Sequence, residues 1–183
     1  MLDRKTIRTA LIGAFSALTV VAGVTAVTLY DGGANDVSYA RMMAIHHSQA
    51  VEMALQVMSR GSDRELHIVA TDALLTQQNQ VGRFQQFLDE RGKVSMLEPG
   101  VVMEGMLSDA EMAELYQLQG AELDNYFIQK TIMHHLGGVA MSEAALSEGL
   151  SGQMERLANA VVNAQASEIR LLRQIATRIS AGR

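Results

Sequence analysis

The sequence predicts an all-α protein: a four-helix bundle built from two repeated helical hairpins, preceded by one N-terminal transmembrane helix. Three observations carry this expectation. Long stretches place apolar residues at alternating steps of four and three. The chain also matches itself without a gap at a shift of 88 residues. Finally, 12 methionines against one proline and 4% aromatic residues suit helices better than sheets.

Composition narrows the function classes. At 183 residues, with 48% hydrophobic and 19% charged, the chain allows one compact domain plus an appendage. The absence of cysteine excludes disulfides, thiolate metal sites and cysteine nucleophiles. A net charge of −5 with no basic run speaks against a nucleic-acid partner.

The N-terminal segment comes first. Arg4, Lys5 and Arg8 stand against Asp3, and Thr9 to Tyr30 is then uncharged. As a helix that stretch would span roughly 33 Å, enough to cross a hydrocarbon core of about 30 Å. An uncleaved anchor is the favoured reading; a signal peptide cleaved near Val24-Thr25-Ala26 is the alternative. In both, the basic end stays cytoplasmic and the remainder lies outside, single-pass at the cell membrane or secreted after cleavage. The first thirty residues carry one acid and three bases, which leaves −7 for the exported part.

A spacer, Asp31 to Asn35, leads to a first helix from Asp36 to Arg60, stopped by Gly61. Ser62-Asp63-Arg64-Glu65 fits a capping box opening a second helix to about Arg91. Lys93 to Leu107, with Pro99 between glycines, is a connector. Ser108-Asp109-Ala110-Glu111 is another capping box, opening a short helix to about Gln119. Third and fourth long helices follow over about Ala121 to Glu148 and Gly152 to Ile179. The 88-residue shift pairs Asp36 with Asp124, His46-His47 with His134-His135, Met53 with Met141, and Gln77 with Gln165. The bundle domain is therefore expected to span 36 to 183.

The seam of the first helix runs through Tyr39, Met43, His46, Ala50, Met53 and Val57. In the third it runs through Phe127, Thr131, His134, Gly138, Met141 and Ala145. The polar residues of the second and fourth helices are read as a solvated face without chemistry.

Histidine pairs and methionines carry the chemistry. Neighbouring residues on a helix point about 100° apart, so one pair does not clamp an ion by itself; two pairs on facing helices can converge. Imidazole ligates copper, zinc, iron or nickel, and thioethers narrow that list toward Cu(I) or Ag(I). Met43 precedes His46 and His47 by about one turn. Met103 and Met106 fall in the connector, where packing gives no obvious reason for them. The candidate metal ligands are thus His46, His47, His134, His135, Met43, Met103 and Met106, and copper is the expected ion. The competing reading makes the histidines hydrogen-bonded core residues, with Met53 and Met141 as filler. Asp36 and Asp124 are read as helix caps, Glu52 as at most an outer group, and His67 as surface or core.

Catalytic patterns are absent. No Glu-x-x-His occurs: Met43, Ala44, Thr131 and Ile132 stand three before the histidines. His-Glu-x-x-His, Gly-x-Ser-x-Gly, phosphate-loop and dinucleotide patterns are missing too. A non-enzyme is expected.

These motifs carry a family likeness. Asp36-x-x-Tyr39 with Met43-Ala44-Ile45-His46-His47-x-x-Ala50-Val51-Glu52-Met53-Ala54, then Met103-x-Gly105-Met106, then Asp124-x-x-Phe127 with Met133-His134-His135-x-x-Gly138-x-x-Met141, resemble the bacterial domain-of-unknown-function family 305. The resemblance covers about Asp36 to Ile179. It implies a ferritin-like four-helix bundle, exported or membrane-anchored, in which some members bind copper through histidine and methionine. By resemblance the four paired histidines are the family's, and Met43, Met53 and Met141 its motif methionines. Thr131 stands where a methionine is frequent, and Leu136-Gly137 replaces a more polar pair.

The expectation is therefore an extracytoplasmic Cu(I)-binding protein for sequestration or delivery. Its partners are the metal ion and the membrane, with any protein partner open. The alternative is a non-catalytic, membrane-anchored helical interaction module with histidines in its core.

Overall fold

The computed structural model describes residues 34–97 and 101–182. The N-terminal segment and Pro99 lie outside them. Among the described residues, no helix is long and apolar enough to cross a membrane. These residues form five helices and no strand: α1 (Ala34–Arg60), α2 (Arg64–Asp89), α3 (Asp109–Gln117), α4 (Gly120–Glu148) and α5 (Gly152–Ala181).

The long helices pair as hairpins, α1 on α2 and α4 on α5, and the hairpins meet through α1 against α4 and α2 against α5. α1 begins at Ala34, so the last two residues assigned above to the spacer form its first turn. α3 opens with the expected Ser108–Glu111 capping box. It packs on α1 and α4, burying Met112 and Leu115. Arg60 donates to the Tyr116 and Leu118 carbonyls at 2.6 and 2.8 Å, satisfying acceptors that the end of α3 leaves free.

The second expected capping box is absent. Asp63, the residue before α2, accepts from the Leu66 amide, while Ser62 donates its amide and hydroxyl to Asp124 of the other hairpin. Asp124 accepts from the Asp63 amide as well, at 2.9 Å. Asp36 does the same in reverse, accepting from the amide and hydroxyl of Ser151 before α5. Each hairpin's first helix thus supplies an aspartate to the turn of the other, and the repeat becomes an exchange of caps.

Two apolar clusters fill the bundle. One joins Met53, Ala54 and Val57 with Leu66, Leu123, Phe127 and Leu172, covered by Leu115. The other joins Tyr39, Met43 and Ala44 with Phe84, Leu88, Leu157 and Val161. The first takes the C-terminal half of α1 with the N-terminal half of α4; the second takes the N-terminal half of α1 with Ala145, late in α4. The two helices therefore run antiparallel. Between the clusters lies a buried polar layer.

Candidate metal centre

That layer is built at equivalent positions of the two repeats. α1 contributes His46 and His47, and α4 contributes Thr131, His134 and His135, with all four histidines at 0% exposure. α2 adds Gln77 and Gln80, and α5 adds Gln165 and Glu168, all buried. These four overturn the reading of the polar residues of α2 and α5 as wholly solvated. Their positions complete the four-three stepping of the buried face between Ala73 and Phe84 and between Val161 and Leu172.

His46 and His134 meet across the hairpin interface, ring centroids 3.7 Å apart and planes tilted by 35°. His47 and His135 turn away, each toward its own hairpin. His47 Nε2 lies 2.8 Å from Gln80 Oε1, and His135 Nε2 lies 2.5 Å from Glu168 Oε2. The two bonds span the same 33-residue separation, so the repeat reproduces the contact and exchanges an amide for a carboxylate.

The connector closes the layer. Its Glu104 carbonyl accepts from His46 Nε2 at 3.2 Å. Gln49 holds the following residue span through two bonds to the Leu107 backbone, at 2.9 and 2.8 Å. A β-carbon on Gly137 would come within 2.0 Å of the Glu104 carbonyl oxygen, and one on Gly105 within 2.7 Å of the Met133 carbonyl. Glycine at both places lets loop and helix backbones touch. Met103, buried, and Met106, half-buried, flank the Glu104–Gly105 peptide that rests on α4. Met43 is fully buried in the apolar cluster with Phe84, one turn from His46 and His47. Met141 is only half-buried, although the seam predicts it inside. Glu52 is exposed and bonded to Tyr116, away from the layer.

Burial disfavours the charged form of three of the four rings. Burial pushes His46 down to about 4 and His47 to about 3, and holds His134 well below the ordinary imidazole value. The neutral form is thus favoured for these three rings, and five imidazole nitrogens of the layer are buried without a hydrogen-bond partner: Nδ1 of all four histidines and Nε2 of His134. Thr131 Oγ1 and both amide atoms of Gln165 are unpartnered too. Most buried polar groups in folded proteins are satisfied, so this concentration of unpartnered donors and acceptors makes the layer the candidate site. Among the described residues, no three His, Asp or Glu side chains stand ready-made around an ion. Any ion held here takes further ligands from elsewhere, and thioethers are the soft donors at hand.

Comparison with known proteins places this architecture. A protein of the same family from Streptomyces coelicolor is 36% identical, with a TM-score of 0.74 over 81% of this chain and 94% of its own. CopM in its Cu(I)-bound form is 22% identical and shares the fold, with a TM-score of 0.64 over 78% of this chain and 96% of its own. Uncharacterized protein L153 of Acanthamoeba polyphaga mimivirus is 35% identical over 57 residues, which are 31% of this chain and only 38% of that relative. Residues 36–176 match the family described as Domain of unknown function (DUF305), and the chain belongs to that family.

Proposed function

We propose that this protein binds copper(I) outside the cytoplasm, to sequester it or hand it on, through His46, His47, His134 and His135 with thioethers from Met43, Met103 and Met106. The observation that carries this reading is the set of five buried, unpartnered imidazole nitrogens where the two hairpins meet. Neutral imidazole and thioether form a donor set suited to a soft monovalent ion, and one poor in the carboxylates that iron or magnesium would require. CopM, which shares the fold, has been obtained in Cu(I)-, Ag- and Cu(II)-bound forms, which supports the choice of metal. The basic, then apolar, N-terminus supports a position outside the membrane, and the Streptomyces coelicolor relative is described as secreted. The work is affinity and exchange, with no reaction catalysed.

The test is a Cu(I) titration of the purified full chain against a chromophoric chelator under reducing conditions. Stoichiometric withdrawal of copper is expected. The double variant His46→Ala/His134→Ala should abolish it with helix content nearly unchanged; unaltered affinity in that variant would overturn the assignment. The second reading, a helical interaction module, draws on the hydrogen bonds His46, His47 and His135 already make. It predicts that copper leaves the melting temperature unmoved.

A further inference from the structure

The two outer histidines differ from the inner pair in having a dedicated side-chain partner on the neighbouring helix. For His135 that partner is the carboxylate of Glu168, 2.5 Å from Nε2, with only 7% of the glutamate side chain exposed. A carboxylate oxygen accepts, so Nε2 carries a proton, and Nδ1 is the ring nitrogen left buried and unpartnered. His47 repeats this with Gln80 Oε1 as acceptor, and its Nδ1 is again buried and unpartnered. His46 reaches the same form through a backbone carbonyl, which can only accept. Two independent copies of the repeat therefore anchor the same ring nitrogen and leave the same one buried and unpartnered.

From this we infer that Gln80 and Glu168 are positioning residues: they hold His47 and His135 in the Nε2–H form and present Nδ1 to copper(I), with the Glu168 half the stronger donor. The inference rests on the copper reading for its ligand, though not for its tautomer. The physical reason is general. A histidine that ligates a metal donates its other ring N–H to an acceptor that fixes the ring and raises its basicity, and a carboxylate does this more strongly than an amide. At the position that anchors the outer histidine, the 88-residue repeat carries Gln80 in the first copy against Glu168 in the second, which makes the two outer histidines unequal.

The test has a metal-free arm and a loaded arm. In the metal-free full chain, nitrogen-15 NMR of the imidazoles should show His47 and His135 protonated at Nε2; protonation at Nδ1 in either would overturn the proposal. Glu168→Gln should keep that tautomer and weaken Cu(I) binding about tenfold, and Glu168→Leu by up to about a hundredfold. Gln80→Glu should tighten it. Unchanged affinity in Glu168→Leu and Gln80→Glu alike would overturn the positioning role. Should the parent chain bind no Cu(I), the copper reading falls, and the NMR arm still decides the tautomer.

Discussion

His46 and His134 stack across the hairpin interface with ring centroids 3.7 Å apart, yet His134 has neither ring nitrogen bonded. The inner pair therefore weakens the metal-free fold. A buried polar group without a partner costs about 1–3 kcal/mol. His134→Leu removes both unpaired nitrogens and keeps apolar bulk against His46. The metal-free variant should be more stable than the parent by about 1 kcal/mol, by denaturant unfolding, while losing copper(I). A less stable variant would mean that the ring is structurally satisfied.

Gly137 is the point where connector and bundle touch. Its Cβ would meet the Glu104 carbonyl oxygen at 2.0 Å, and backbone on both sides leaves little room to yield. Gly137→Ala should destabilise by about 1–3 kcal/mol and part the connector from α4, breaking the His46–Glu104 bond. Thermal melts would give the first effect. Faster amide exchange at Glu104 to Leu107 would give the second, and exchange unchanged from the parent would refute the contact.

The exchanged caps make a separable claim. Asp124 accepts from the Ser62 amide and hydroxyl and from the Asp63 amide, at 2.6–3.1 Å. Asp124→Ala leaves these donors unsatisfied and should cost about 2 kcal/mol. Asp36→Ala, which strips Ser151 of its partner, should cost about 1 kcal/mol. Neither should alter copper(I) affinity, because both aspartates lie at turns; a loss of affinity with stability intact would place them in the site.

Much of this was legible in the residues alone. The four-three stepping of Tyr39, Met43, His46, Ala50, Met53 and Val57 gives a buried face, and all six are inside. The 88-residue repeat puts His46 and His134 at equivalent positions, and the structure stacks them. Gln80 and Glu168 were not legible in the same way, because a polar residue on an amphipathic helix reads as solvent-facing unless its partner across the bundle is known. The signal was present as a gap in the apolar steps of α2 and α5, filled by polar residues in repeat register. The exchanged caps were hidden for a related reason. Asp36 and Asp124 look like local caps, and only the antiparallel meeting of the hairpins carries each to the other's turn.

The buried histidines also set a pH dependence. Desolvation is the largest cause holding His46 at about 4, His47 at about 3 and His134 well down. In the unfolded chain each titrates near 6.5. Below 6.5 the unfolded state therefore binds protons that the folded state refuses, so unfolding becomes easier as pH falls. The contribution is fully present above about 6.5 and is lost toward about 4, at up to about 1.4 kcal/mol per pH unit for each ring. Glu111, held at about 2 by Lys130, loses its own contribution only below its ordinary 4.5, so the window above that belongs to the histidines. Melts of the metal-free protein in chelator should show the midpoint falling between pH 7 and pH 4.5, with a shallower fall in His46→Leu/His47→Leu. A midpoint flat across that range would show that the rings take up protons within the fold and that the layer is open to water.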